Sequence, residues 1–164
     1  ISKDSFSQSE QDKLAEEVAI GAIKYSILRQ SSGKDIIFDF EQSLSFEGDS
    51  GPYLQYTYAR TRSLLEKAGD RKVDALEAHE GINMLHKTIL CFPEVLLRAN
   101  EECEPHYIAT YLIEVARGFN SFYGNTIVLD GSADEPYKLA LVKAVSQTIK
   151  NGLHILGISA PERM

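Results

Sequence analysis

Four segments of this chain begin with a proline and carry apolar residues at every third or fourth position. That spacing places the apolar side chains on one face of an α-helix, and a proline at the first helical position already has a helical φ. Such segments open at Pro52, Pro93, Pro105 and Pro136. Because the connections between them are short, neighbouring helices should run antiparallel. The sequence therefore predicts an all-α fold, an antiparallel helical bundle.

Local start and stop signals set the limits of the predicted helices. Ser7 and Glu10 have the spacing of a capping box, so the first helix should begin there and continue to about Gln30. Gly69 is suited to end the helix that Pro52 begins. The later helices are predicted at 75–92, 94–103, 106–123 and 136–156.

The segment between the first two long helices is short, β-branched and aromatic. We expect residues 36–40 to be extended and to place Ile37, Phe38 and Phe40 in the core. One helical turn should follow at 41–44.

The stretch 48–60 is predicted to be a loop that becomes a helix, and this helix carries two distinct faces. Its apolar face is formed by Leu54, Tyr58, Thr61, Leu65 and Ala68. The neighbouring face combines aromatic rings with basic groups, at Tyr53, Tyr56, Arg60, Leu64 and Lys67. Single-stranded nucleic acid binds surfaces of this kind, since its bases stack on rings and its phosphates attract cations. Spacing alone favours a different interpretation, in which the tyrosines belong to the core or its edge.

The charge of the chain is unevenly distributed. The net charge is −7, which taken as a whole argues against a nucleic-acid partner. Basic residues nevertheless outnumber acidic ones by three to two in 51–70 and by four to one in 136–164, while the rest of the chain is acidic. If these two segments pack side by side, they would form a basic patch on an acidic body.

Few residues have the spacing that catalysis or metal binding requires. Cys91 and Cys103 do not form a zinc motif, and His79 and His86 lie two helical turns apart without an evident third ligand. No phosphate-binding glycine loop or nucleophile elbow is present. No signal peptide or membrane span is recognisable either, so we expect a cytoplasmic binding module without metal or catalytic residues.

Several separated motifs resemble the C-terminal anticodon-binding domain of arginyl-tRNA synthetases. The opening motif is Gly-Pro-Tyr-Leu-Gln-Tyr at 51–56, followed by Ala59 and Arg60. The preceding motifs lie at 21–25, 38–40 and 46–49, and the following ones at 92–94, 105–106, 119–123 and 156–164. These motifs occur in the family's order and span essentially the whole chain.

The resemblance implies a division of the chain into two parts. Residues 1–45 would be the end of the catalytic-domain or stem region, and residues 46–164 the helical anticodon-binding domain. In that family, a class I catalytic domain attaches arginine to tRNA using ATP. The two ATP-binding signatures of that catalytic domain are absent here, so this fragment should hold no cofactor and should not aminoacylate alone.

The resemblance also implies which residues meet the RNA. The family's base-contacting tyrosines and methionine correspond to Tyr53, Tyr56, Tyr123 and Met164, and Ile127 stands where some members have a tryptophan. We expect phosphate contacts from basic residues of the tyrosine helix and the last helix, namely Arg60, Lys67, Lys143 and Lys150. The implied partners are the anticodon stem-loop of tRNA(Arg) and the catalytic domain of the same parent chain, in a monomer without membrane contact.

Two other interpretations fit the sequence. The chain could be the anticodon-binding domain of another class I synthetase. It could also be a helical protein-interaction module that binds no RNA, which the acidic average favours.

Overall fold

The computed structural model describes residues 6–36, 38–71, 73 and 84–164, and these form seven α-helices and no strand. The helices are α1 (Gln8–Leu28), α2 (Phe40–Ser43), α3 (Gly51–Ala68), α4 (Met84–Leu90), α5 (Phe92–Glu101), α6 (His106–Asn125) and α7 (Glu135–Ile155). The all-α prediction is confirmed.

Except for α4, whose predicted start lies outside the described residues, the helices start within two residues of the predicted positions. Pro52, Pro93 and Pro136 are the second residue of their helices, and Pro105 precedes its helix. The Ser7 hydroxyl accepts a hydrogen bond from the Glu10 amide at 3.4 Å, and the Glu10 carboxylate accepts one from the Ser7 amide at 2.7 Å. The helix α3 begins one residue before Pro52, because the Ser50 hydroxyl caps it by accepting from the Tyr53 amide at 3.1 Å. It ends at Gly69, whose φ of 56° suits glycine.

The prediction for residues 36–40 is wrong in its placement of the phenylalanines. Phe38 is 46% exposed and Phe40 is 68% exposed, while Ile37 lies outside the described residues. Asp39 accepts a hydrogen bond from the Gln42 amide and thereby caps the short helix α2. Phe40 is the first residue of that four-residue helix, and its side chain lies mostly in solvent rather than in the core.

The predicted helix at 75–92 is wrong at its C-terminal end. The helix α4 stops at Leu90, Cys91 forms a turn, and Phe92 already belongs to α5. Pro93 has no N–H to donate, so the helical ladder cannot continue through it. The remaining predicted positions of this helix, including Leu76, His79 and Ile82, lie outside the described residues.

The core lies where α3, α6 and α7 meet. Its fully buried side chains include Leu54 and Tyr58 from α3, Leu112 and Phe119 from α6, and Val145 from α7. The helix α1 packs on the outer side of α3, and α4 and α5 pack on α6. The helix α3 therefore lies between α1 and the rest of the core, in contact with both α6 and α7.

None of the helices in the described part of the chain is both long enough and apolar enough to cross a membrane.

Candidate nucleic-acid interface

The tyrosines of α3 divide between the core and the surface. Tyr58 is 1% exposed and belongs to the core, as the interpretation from spacing alone had favoured for the tyrosines. Tyr53 and Tyr56 are only partly buried. The helix therefore uses Tyr58 for stability and leaves the other two rings on its neighbouring face.

Arg60 lies between two aromatic rings that come from different helices. Its guanidinium carbon is 4.9 Å from the ring centre of Tyr56 on α3 and 5.4 Å from that of Tyr123 on α6. The same guanidinium donates to the Tyr56 hydroxyl at 3.2 Å. Cation–π attraction and this hydrogen bond hold the positive charge in place. Tyr56, Arg60 and Tyr123 thus form a group in which one cation contacts two rings, which we call the aromatic sandwich.

The sandwich forms one side of a cavity of about 280 Å³. The predicted site residues that line this cavity are Tyr56, Arg60, Lys67, Tyr123 and Met164. Its other charged lining residues are Glu66, Glu162 and Arg163. Three cations and two carboxylates thus surround a space bordered by aromatic and thioether groups, which suits a flat ring that carries polar edges.

Asn120 on α6 lies in the motif at 119–123 and was not among the residues predicted to form the site. Its Oδ1 accepts from Arg60 at 3.0 Å, while its Nδ2 donates to the Tyr53 hydroxyl at 2.9 Å and to Thr57 Oγ1 at 3.2 Å. One amide therefore fixes a cation and a tyrosine of α3 together. No spacing rule could have found it, because its partners are distant in the sequence.

Phe46 is a second residue without an assigned role, and it extends the aromatic surface. Its ring meets that of Tyr56 edge-on, with 6.0 Å between the ring centres. Phe46 belongs to the loop before α3 and remains largely exposed. Aromatic residues that stay exposed beside a cavity are available for stacking.

Four of the predicted residues lie outside the lining of this cavity, and two of them, Tyr53 and Ile127, line neither this cavity nor the second one described below. Tyr53 reaches the site through Asn120 and also packs against the core. Ile127 lies in the loop after α6 and is 74% exposed.

Lys143 and Lys150 line a second cavity between α3 and α7, also of about 280 Å³. Arg62 on α3 joins them there, and among the described residues no carboxylate lines this cavity. The two basic segments of the sequence therefore pack side by side, as the charge distribution suggested. They form the basic patch of an otherwise acidic chain.

The loop that leads into α3 is fastened to α1 by a buried tyrosine. The Tyr25 hydroxyl donates to the Asp49 carboxylate, which also pairs with Arg29 at 3.1 Å. Burial, and then the hydrogen bond to the Asp49 carboxylate, raise the pKa of Tyr25 far above its ordinary value, so this phenol stays protonated and acts as a donor. These contacts hold Asp49 against α1, in the same loop that carries Phe46 to the ring of Tyr56.

Among the residues that the structure describes, no three His, Cys, Asp or Glu side chains cluster closely enough to hold a metal ion.

Known proteins resemble this chain in sequence and in structure. The arginine–tRNA ligase of Thermococcus kodakarensis is 41% identical, with the match covering 98% of this chain and 27% of that protein. The corresponding ligase of Ignicoccus hospitalis is 43% identical over 93% of this chain and 25% of its own length. The chain thus spans about a quarter of these relatives.

A solved structure agrees with these relatives. The arginyl-tRNA synthetase of Thermus thermophilus superimposes with a TM-score of 0.89 at 37% identity, covering 99% of this chain and 29% of that one. The family described as the DALR anticodon binding domain matches residues 54–164, which include α3 from its first turn, the aromatic sandwich and both cavities. This chain therefore belongs to the DALR anticodon binding domain family.

Proposed function

We propose that this chain binds the anticodon loop of tRNA(Arg), as the anticodon-binding part of an arginine–tRNA ligase. The observation that carries the proposal is the aromatic sandwich of Tyr56, Arg60 and Tyr123 at the wall of an open cavity. Family membership and the names of the relatives support it.

Bases of the loop would be held by stacking. Unpaired bases would lie against Tyr56 or Tyr123, each contact contributing roughly 1–3 kcal/mol. Met164 would close the cavity from the opposite side, and Tyr53 would support the site through Asn120. Ile127 would offer an aliphatic contact at the periphery.

The RNA backbone would be held by the basic residues around α3. Arg60 and Lys67 lie at the first cavity, and Lys143 and Lys150 lie at the second. Their charges would neutralise phosphates and release counterions, which makes binding depend on salt. An acidic remainder of the molecule would direct the RNA to this face.

The reaction itself would belong to the rest of the parent enzyme. There, ATP would activate arginine for attachment to the tRNA, and this chain would supply recognition without a cofactor of its own. Residues 1–45 would be the end of the catalytic or stem region, and residues 46–164 the anticodon-binding domain. We place the parent in the cytoplasm, as a monomer.

An exposed apolar face on α1 supports the catalytic domain as the intramolecular partner. Ile20, Ile23 and Ile27 recur along one side of this helix and are each about half exposed. Phe38 and Phe40 are exposed on the segment that follows α1. Apolar side chains grouped in this way are typical of a surface that another domain covers.

Binding of a labelled anticodon stem-loop, followed by fluorescence anisotropy, tests the proposal. We expect the tRNA(Arg) stem-loop to bind more tightly than a scrambled RNA of equal length. Tyr56→Ala should weaken its binding about fivefold or more, because a stacking surface is lost. Tyr107→Ala is the matched control, since Tyr107 also carries an arginine over its ring, at 4.0 Å, but lies away from the cavity.

Equal binding of both RNAs would contradict the proposal and leave the protein-interaction alternative. Stronger competition by the stem-loop of a different tRNA would instead assign the chain to another synthetase.

A further inference from the structure

The cavity has one wall that is not helical. Residues 157–164, which we call the closing segment, follow α7 and contribute Glu162, Arg163 and Met164 to the cavity lining. The amides of Gly157 and Ile158 bond back to the last turn of α7. Beyond Ile158 no helical ladder fixes the backbone, so other contacts must decide where Met164 lies.

Gln55 makes the most buried of those contacts. Its side chain is fully buried, and its Nε2 donates to the Ser159 carbonyl at 2.9 Å and to the Glu17 carbonyl at 3.2 Å. Both amide hydrogens are thus used on backbone acceptors of two different elements. One side chain of α3 thereby joins α1 to the closing segment.

The Gln55 side chain packs directly against the backbone of α1 at Gly21, with no space between them for another side chain. A Cβ atom at Gly21 on α1 would lie 2.8 Å from the Gln55 amide, which is closer than real contacts allow. The absence of a side chain at this position lets Gln55 pass α1 and reach Ser159. The arrangement therefore depends on a glycine and a glutamine from separate helices.

Lys24 makes a second, more accessible contact with the same segment. Its Nζ donates to the Gly157 carbonyl, and Gly157 has a φ of 67° that glycine adopts readily. Further along, Glu162 pairs with Arg62 of α3 at 3.4 Å. The closing segment is therefore held from α1 at its start and from α3 along its length.

We propose that Gln55 and Lys24 are positioning residues that hold the closing segment against α1 and α3, so that Met164 forms a fixed wall of the base-binding cavity. This inference rests on the proposed function. Neither side chain lines the cavity, so each acts through the segment and not on the RNA itself.

The first measurement follows the position of Met164 without RNA. The chain has two methionines, so methyl-labelled protein should give one resonance from Met164 and one from Met84, which is 71% exposed and serves as a solvated reference. We expect Gln55→Leu and Lys24→Ala each to move the Met164 resonance towards that of Met84. Lys24→Arg should restore it, because arginine can donate to the same carbonyl.

The second measurement is affinity for the anticodon stem-loop. Loss of a hydrogen bond that fixes the wall should weaken binding about three- to tenfold. Gln8→Leu and Lys13→Ala are matched controls on α1, and both should leave the resonance and the affinity unchanged. If Gln55→Leu does not fold, the comparison of Lys24→Ala with Lys24→Arg decides the question.

An unchanged Met164 resonance in both variants would overturn the inference. So would a displaced Met164 with undiminished RNA affinity, since the wall would then not serve binding. If the unmodified chain binds no stem-loop, the proposed function fails and the RNA role of the segment fails with it. In that case the resonances still show whether Gln55 and Lys24 hold Met164.

Discussion

Arg60 makes more of the described polar and aromatic contacts at the first cavity than its neighbours there do, with Tyr56, Tyr123 and Asn120 as its partners. Its guanidinium is attracted to the rings of Tyr56 and Tyr123 and donates a hydrogen bond to the Tyr56 hydroxyl. The hydrogen bond from Arg60 to Asn120 adds direction, and the same amide orients Tyr53. The charge is consequently preorganised before any ligand arrives, which reduces the cost of binding.

Replacing Asn120 tests that preorganisation. Asn120→Leu removes the bonds to Arg60, Tyr53 and Thr57 while keeping a side chain of similar size. We expect stem-loop affinity to fall about three- to tenfold, as measured by anisotropy, because both groups lose their orientation. Asn100→Leu, at an exposed position of α5, is the control and should bind normally. Full affinity in the Asn120 variant would show that Arg60 needs no such support.

At the scale of elements, α3 approaches α1 backbone to backbone. A Cβ atom at Gly51 would lie 2.4 Å from the carbonyl oxygen of Gly21. Both sides of this contact are backbone, so neither can rotate away. The first turn of α3 therefore sets the distance between the helix that carries the tyrosines and the helix that precedes it.

Gly51→Ala should separate the two helices. We expect the free energy of unfolding to fall by about 1–3 kcal/mol, measured from urea transitions, because the methyl group has no room. Gly124→Ala is the matched control, since Gly124 lies in α6 and nothing approaches its Cβ position within 4 Å. That change should be neutral or stabilising by up to about 1 kcal/mol. Equal effects of the two substitutions would contradict the close crossing.

For the molecule as a whole, charge is separated into an acidic body and one basic face. The net charge of −7 would repel RNA from most of the surface, while α3 and α7 present their cations together. The net charge is thus a poor guide to where this chain binds, because the packing of α3 against α7 brings their positive charges together on one face.

The salt dependence of RNA binding measures how many phosphates this basic face neutralises. If Arg60, Lys67, Lys143 and Lys150 each neutralise one phosphate, the logarithm of the binding constant should fall with the logarithm of salt concentration with a slope of about −3. Lys143→Ala should make the slope less steep by about 0.7. Lys13→Ala, on the solvent side of α1, should leave the slope unchanged. A slope near zero would exclude a phosphate-binding role for these lysines.

Acid should destabilise the molecule partly through Glu135, at the start of α7. The Gly131 amide and Arg71 bond to this carboxylate and lower its pKa below the ordinary 4.5. Since the folded state binds this proton less readily, the stabilisation is complete above about pH 4.5 and is lost as the pH falls through the lower folded pKa. In urea unfolding at several pH values, Glu135→Gln should flatten this acid limb; an unchanged pH dependence would contradict the assignment.

The sequence by itself determined the features that depend on contacts between residues close together in the chain. The Ser7–Glu10 capping box, the proline starts and the glycine stop at Gly69 involve groups within one turn of each other, so these helix limits could be predicted to within two residues. The exposed Phe38 and Phe40 could not, because an aromatic residue has the same local character whether or not another element covers it. Whether these two rings are buried depends on which other elements pack against α2.

Tertiary structure alone decided how the candidate site is assembled. Arg60 and Asn120 are 60 positions apart, and Gln55 and Ser159 are 104 positions apart, so no periodicity connects them. The sequence determined that α3 would carry rings and cations on one face, since helical spacing follows from residue order. Which side chains complete that face was settled by the packing of α6, α7 and the closing segment, because hydrogen bonds and stacking depend on distance in space.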